Sequence, residues 1–315
     1  MALLTPICCL DVTYGWVMGT VWRMAPRLGS GLSGSVTVKV PATTANLGPG
    51  FDCLGVALKL YNKVVVHRLR GRPCGECPPL MEEAAERIFW RAKKRISWTA
   101  SVSGDVPMAR GLGSSVTVRA GVLVGLNRLL GRPLSESECM NLVIDLEGHP
   151  DNAIPAFLGG FCLCSDEAVL REPVSGRLKF IAVVPEIEVA PGAARAVLPH
   201  HVTFDDAAHN SRHAALVAAA LATGRYDLLS GAFRDRLHEP YREHLVPGFA
   251  AVVAAADKAG ALGAFLSGSG STIMAVALGG RPACQRIMKG MIGALKTVGV
   301  PARGMILTAD NQGLK

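Results

Sequence analysis

Three short segments hold residues whose types and spacing could do chemistry. The first is Pro107-Met108-Ala109-Arg110-Gly111-Leu112-Gly113-Ser114-Ser115-Val116-Thr117, between a predicted strand and a predicted helix. Two glycines bracket one residue, and two hydroxyls stand where the helix begins. Glycine lets the backbone close around an anion, and a helix N-terminus presents free N–H groups at the positive end of its dipole. The pattern reads as a phosphate cradle. It is not a Walker A loop, because the chain contains no Gly-Lys-Ser/Thr. An ordinary strand-to-helix turn with a serine N-cap would have the same composition.

The second segment is Glu147 and the turn Gly148-His149-Pro150-Asp151-Asn152. Ser135-Glu-Ser-Glu138 is a capping box, so a helix runs from there to Glu147. A carboxylate at the negative end of the helix dipole is poorly placed unless a cation compensates it. Mg²⁺ held by Glu147 and a loop hydroxyl such as Ser115 fits this, since Mg²⁺ takes one or two protein oxygens besides phosphates and water. A solvated Glu before a turn fits equally well. The third segment, Ser267-Gly-Ser-Gly-Ser-Thr272, is a second Gly-rich turn, which a tight hairpin explains as well as a ligand does.

Other candidates are weaker. His149 alone in a polar turn is more often structural than catalytic. His200-His201 and His209/His213 have near-metal spacing, but no Cys or carboxylate cluster completes a site. Cys74 to Cys77 is a lone CxxC without a second pair. Gly29, Gly31 and Gly34 match GxGxxG, yet a strand follows them where a dinucleotide fold needs a helix. No nucleophile elbow or other Ser/His/Asp signature occurs.

The elements that must position these residues follow from periodicity. Val36–Val40, Leu54–Leu60, Val64–His67 and Thr99–Ser103 read as strands. Met81–Lys94 reads as a helix, as does 114–130, with Val122, Leu126 and Leu130 on one face and Gly131 past its end. Further on, Lys179–Val184, Ala264–Leu266, Thr272–Ala277 and residues 304–308 read as strands. Asn210–Thr223, Gly248–Gly260 and Cys284–Val298 read as helices.

Composition limits what such a chain can be. Half of its 315 residues are hydrophobic and 18% are charged, so a sizeable core can form and wholesale disorder is excluded. The net charge of +8 suits a nucleoside triphosphate as well as a nucleic acid. Nucleic acid is the weaker reading, because the basic residues are dispersed and only 5% of residues are aromatic. Nine cysteines without a regular framework point to a reducing cytoplasm. Leu3–Trp22 carries Asp11 and Pro6 and reads as neither a membrane span nor a signal peptide, so residues 1–34 are expected to be a disordered leader and linker.

Taken in order, Pro41-Ala-Thr-Thr-Ala-Asn-Leu-Gly-Pro-Gly-Phe-Asp52, Arg110-Gly-Leu-Gly-Ser-Ser115 and Leu266-Ser-Gly-Ser-Gly-Ser271 resemble the three motifs of the GHMP small-molecule kinases. The first of them and Glu147-Gly-His-Pro-Asp-Asn-Ala-Ile-Pro-Ala-Phe-Leu-Gly-Gly160 are similar to the homoserine kinase branch. The resemblance runs from about Val36 to Asn311.

It implies an α+β, two-domain fold. An N-terminal ATP-binding domain at 35–177 would be like the second domain of ribosomal protein S5, and a C-terminal domain at 178–315 would be ferredoxin-like. It also implies ATP and Mg²⁺ as cofactors and phosphorylation of the L-homoserine hydroxyl, a step toward threonine, with no nucleic acid or membrane partner; the alternatives are another GHMP-type kinase acting on a mevalonate- or sugar-like alcohol, and an ATP-binding homologue without turnover. Homodimerisation is left open.

The loop Pro107–Thr117 would hold the ATP phosphates, and Ser115 and Glu147 the metal. Asn46 and Asp52 would face the substrate ammonium. Asn152 would meet the hydroxyl, with Asp151 and His149 near it. Arg195 and Arg242 would clamp the carboxylate. Glu147, Asn152 and Arg195 are the catalytic set, and direct in-line attack needs no dedicated base. Pro191, Ser271, Val116 and Ala109 depart from residues usual in the family, and the stretch between residues 62 and 105 is short for it.

Overall fold

The computed structural model describes residues 32–71 and 77–315. Most of the expected leader, and Cys74 with it, lies outside these residues. Two antiparallel sheets organise the rest. In the first, β1 (Leu32–Ala45) pairs with one edge of β2 (Leu54–Leu69). The other edge of β2 carries β3 (Trp98–Gly104) along residues 62–68 and β4 (Phe161–Cys164) along residues 54–56. The fifth strand, β5 (Val169–Glu172), pairs with β4.

Four helices cover this sheet: α1 (Pro79–Ala92), α2 (Ser114–Leu129), α3 (Glu136–Glu147) and α4 (Pro150–Leu158). α2 lies against β1 and β2 under α1 and α3, and is apolar nearly all round because almost every face of it is covered. Gly121 and Gly125 let it settle onto Val64 and Val66, where a Cβ would lie 2.3 and 2.5 Å from their methyls.

The second sheet has the order β7 (Gly263–Leu266), β8 (Ile273–Leu278), β6 (Leu178–Pro185), β9 (Ala302–Leu307), all antiparallel. With α7 (Phe249–Lys258) before β7 and α8 (Arg281–Thr297) before β9, this is the ferredoxin-like β-α-β-β-α-β arrangement the resemblance implies. Both faces of β6 are buried. Phe180, Ala182 and Val184 face a core shared with β2 and α6 (Phe204–Thr223), while Ile181 and Val183 face α7 and α8. The chain then returns to the first sheet: Ala309 bridges to Leu58, and Lys315 exchanges both backbone hydrogen bonds with Lys39.

Several elements differ from the sequence expectation. β1 already begins at Leu32, inside the expected leader. The two strands expected at 54–60 and 64–67 are one, because Asn62, polar but buried, donates to Thr117 Oγ1 at 2.8 Å instead of forming a turn. The 148–152 turn ends in helix: His149 is the N-cap of α4 and Pro150 its first residue, a position where proline's missing N–H costs nothing. Pro191 opens a further short helix, α5 (Pro191–Ala196), in the same way. β4 and β5, four residues each, are too short for periodicity to reveal.

Candidate active site

The loop expected to hold phosphates is built from backbone. Gly113, at φ +66°, is the N-cap of α2, so Ser114 and Ser115 are its first helical residues and no serine caps it. No side chain accepts from the first-turn N–H groups, and no acidic residue occupies that turn. The donors and the dipole therefore point at whatever sits above the loop. Val116 and Thr117 face the core instead: Thr117 Oγ1 donates to Ser114 O at 2.7 Å and its N–H to Gly113 O.

Both glycines are needed for close approach. A Cβ on Gly113 would lie 2.1 Å from Thr43 Oγ1, and one on Gly111 2.0 Å from the Ser267 carbonyl. The third segment acts here as a buttress. Thr44 Oγ1 donates to Ser267 Oγ at 2.8 Å, and Ser267 Oγ donates to Gly111 O at 2.7 Å. Thr272 N donates to Arg110 O, and Ser271 Oγ to Ile187 O. Arg110 is buried, its Nη1 donating to the carbonyls of Met108 and Ala109 and lying 3.3 Å from Glu188 Oε1.

At the edge of this loop Ser115 Oγ donates to Glu147 Oε2 at 2.9 Å. The cation that the helix terminus called for is present: Arg119, one turn beyond Ser115, reaches Glu147 Oε1 at 2.7 Å. Its other arm reaches Glu83 Oε2 on α1, also at 2.7 Å. Sequence reading missed Arg119, although its spacing of four from Ser115 puts both on one helix face. Ser115 and Glu147 also suit Mg²⁺. Both are hard oxygen donors, and neighbouring ligands of an octahedral Mg²⁺ stand about 2.9–3.0 Å apart, the separation seen here.

The part expected to face the substrate is built from side chains. Asn46 is buried and at φ +69°; its Nδ2 donates to Gly268 O at 3.0 Å and its Oδ1 accepts from Asp52 N at 3.0 Å. Its amide thus ties the first segment to the third and sets Asp52. The Asp52 carboxylate accepts from Arg195 Nη2 at 3.0 and 2.9 Å. That pair is accessible, at 52% and 32% side-chain exposure. The guanidiniums of Arg195 and Arg242 both lie over the Phe51 ring, 5.5 and 5.2 Å from its centre.

Arg242 is only 3% exposed. Its Nε donates to Ala194 O at 2.9 Å, and its Nη1 to Gly268 O at 3.2 Å and His238 Nδ1 at 3.3 Å. Burial, together with nearby Arg195, pulls its pKa down. No hydrogen-bond partner engages Nη2 among the described residues. His238 is held neutral by burial and donates from Nε2 to Gly48 O at 2.9 Å, which leaves Nδ1 as the acceptor for Arg242. Behind it, Asp235 Oδ2 accepts from the backbone N–H groups of Leu237, His238 and Glu239, while Oδ1 accepts from Asn210 Nδ2. Glu239 accepts from Leu266 N, and burial holds its carboxyl well above the usual range.

The two sides meet at α4. Asn152 Oδ1 accepts from Thr43 Oγ1 at 2.6 Å and faces Gly113. Asp151, buried, accepts from His149 Nδ1 at 2.6 Å, and that hydrogen bond raises the imidazole pKa. Ligand atoms of Asp52, His149 and Asp151 all lie within 4.8 Å of one another. The structure therefore brings Asp52, His149, Asp151, Asn152 and Arg195 together beside Gly113, with Arg242 buried near them.

Comparison with known proteins decides the family. The chain matches the GHMP kinases N terminal domain over residues 80–160 and the GHMP kinases C terminal model over residues 217–288. A homoserine kinase of Microchaete diplosiphon is 40% identical, covering 89% of this chain and 96% of that one. One from Caldicellulosiruptor bescii is 39% identical over 88% and 95%. The chain belongs to the homoserine kinase family. The crystal structure of homoserine kinase from Cytophaga hutchinsonii superposes with a TM-score of 0.82 at 26% identity, covering 91% of this chain and 99% of that one. The fold is thus the two-part GHMP kinase fold, and the protein is a kinase that moves a phosphoryl group from ATP to an alcohol. Among the described residues no helix is long and apolar enough to cross a membrane.

Proposed function

We propose that the protein transfers the γ-phosphoryl group of ATP to the side-chain hydroxyl of L-homoserine, giving O-phospho-L-homoserine and ADP, a step toward threonine. The observation that carries this reading is the charge pattern beside Asn152: one accessible carboxylate, Asp52, pairs with Arg195, and a second guanidinium, Arg242, shares the Phe51 ring with Arg195. An α-amino acid presents the matching ammonium and carboxylate. Asp52 and Arg195 satisfy each other in the free enzyme; a zwitterion entering between them replaces one ion pair by two. A mevalonate- or sugar-type alcohol brings no ammonium and leaves Asp52 uncompensated on losing Arg195.

The α2 N-terminus and residues 107–115 would hold the phosphates. Ser115 and Glu147 would hold Mg²⁺, which when bound neutralises phosphate charge. Asn152 orients the acceptor hydroxyl, and Thr43 keeps its carboxamide from rotating. Arg195, close to Asp52, pulls the carboxylate end into place. Phosphoryl transfer through a loose transition state depends on alignment and charge neutralisation rather than a strong base, so the hydroxyl attacks in line and its proton passes to the phosphoryl oxygens. We assign the enzyme to the cytoplasm, which its six free described cysteines support.

ADP release with ATP, Mg²⁺ and L-homoserine, mevalonate, L-threonine or galactose tests this reading. Release driven by homoserine is expected. Release with mevalonate or galactose and none with homoserine would overturn it.

A further inference from the structure

Glu147 has two carboxylate oxygens with different neighbours. Oε2 accepts from Ser115 Oγ at 2.9 Å, whereas Oε1 is held by Arg119 Nη1 at 2.7 Å. The Glu147 carboxylate is 8% exposed and Arg119 14%, so this is not a solvated surface pair. Nothing else fixes the guanidinium: Nη2 goes to Glu83 on α1, and Nε is buried without a partner among the described residues. Its place is set by the two carboxylates, one on α1 and one at the end of α3.

The inference rests on reading Ser115 and Glu147 as metal donors. We infer that Arg119 is the positioning residue of that metal site: it occupies Glu147 Oε1 so that only Oε2 is offered beside Ser115, and its charge restrains divalent-cation binding until phosphates are present. The physical argument has two parts. An acid carboxylate clamped at one oxygen binds a metal through the other alone, in a fixed orientation. A guanidinium hydrogen-bonded to the same carboxylate stands a few ångströms from any dication on Oε2, in a partly desolvated site where like charges repel strongly. The free enzyme thus keeps Glu147 neutralised by its own cation. Phosphate charge then tips the balance toward the metal. Glu83 moderates the effect by sharing the guanidinium.

Two measurements on the full chain test this: Mg²⁺ titration of fluorescent ADP binding, and melting temperature in EDTA and in saturating Mg²⁺·ADP. In Arg119→Gln the Mg²⁺ concentration for half-saturation should fall about tenfold. Melting in EDTA should drop by several degrees, and the deficit should close in Mg²⁺·ADP, because the metal replaces the missing cation. Arg119→Lys keeps the charge and should stay within about twofold of wild type, although it cannot fork two carboxylates. Glu83→Gln, on an exposed helix face, should move half-saturation the other way, up by about two- to threefold.

Unchanged or weaker Mg²⁺ binding in Arg119→Gln would overturn the inference. So would a melting deficit equal in both conditions, which a merely structural arginine would give. Should Arg119→Gln fail to fold, an unchanged or lowered half-saturation in Glu83→Gln overturns it instead. Glu147→Gln separates the two readings: if wild type and Glu147→Gln titrate alike with Mg²⁺, the metal assignment itself falls.

Discussion

The two halves of the cleft are made in opposite ways. The proposed phosphate side is one continuous loop and helix start, Pro107 to Ser115, which offers backbone N–H donors. The proposed substrate side gathers Asp52, His149, Asp151, Asn152, Arg195 and Arg242 from four separate stretches, and it offers mostly charged side chains. A backbone-built site needs small residues and precise conformation but tolerates change in most side chains. A side-chain-built site needs a buried frame to hold each charge, here Asp235, His238 and Asn46. The first should break by steric insertion and the second by removal of charge.

Gly113→Ala should have the largest effect. Its φ of +66° costs an alanine about 1–2 kcal/mol. Its methyl would also push Thr43 away from Asn152. Displacing reacting groups by about 1 Å can lower rates about 10²-fold, and steady-state kinetics should show a loss of at least that order. A variant with normal turnover would mean that the loop is not where phosphates are aligned.

Asp52→Asn changes charge without adding bulk. It removes a charge-assisted contact worth roughly 1.5–3 kcal/mol, about one to two decades. Homoserine kcat/KM should fall by that factor while the ATP KM stays within about twofold. Equal losses on both substrates would blur the contrast between the two sides.

His149 sharpens the comparison through pH. Its hydrogen bond to Asp151 raises the imidazole pKa above the ordinary 6.5. A raised histidine contributes stability that is fully present below about pH 6.5 and is lost as pH rises through the higher folded value. The destabilisation caused by His149→Gln, followed by urea unfolding, should therefore be larger at pH 6 than at pH 9. The reverse order would contradict the geometry of the pair.

The smallest effect is expected at Ala109, which sits at φ +51°. Ala109→Gly relieves left-handed strain but frees the unfolded chain, so a net gain below about 1 kcal/mol is expected. A melting curve would show it as a shift of a few degrees or less.

This contrast also explains what the sequence disclosed. The Gly-rich loop and helix start proposed to hold phosphates were legible because their pattern is contiguous: glycines, hydroxyls and a helix start within nine residues. The capping box at Ser135 placed Glu147 at a helix end for the same reason, and its need for a cation was foreseen from the dipole. The cation's identity was not, because Arg119 is one arginine on a buried helix and only the packing of α1, α2 and α3 brings Glu83 and Glu147 to it.

On the substrate side, motif resemblance supplied Asp52, Arg195 and Arg242, but local chemistry did not mark them. Thr43 looked like any strand threonine, and His238 and Asp235 like any loop residues. Their roles exist only once the third Gly-rich turn docks against the first segment through Gly268. The fold was legible where periodicity ran long, as in α2 and β6, and not where proline opened helices at 150 and 191.

The central claim is that this cleft selects an alcohol by reading an ammonium with Asp52 and a carboxylate with Arg195 and Arg242. The most direct measurement is kcat/KM for L-homoserine against two truncated alcohols, 4-hydroxybutanoate without the ammonium and 3-amino-1-propanol without the carboxylate. Each truncation leaves protein charge unpaired and should lose about one to two decades or more, with the ATP KM nearly constant. Turnover of 4-hydroxybutanoate within a few-fold of homoserine would contradict the account.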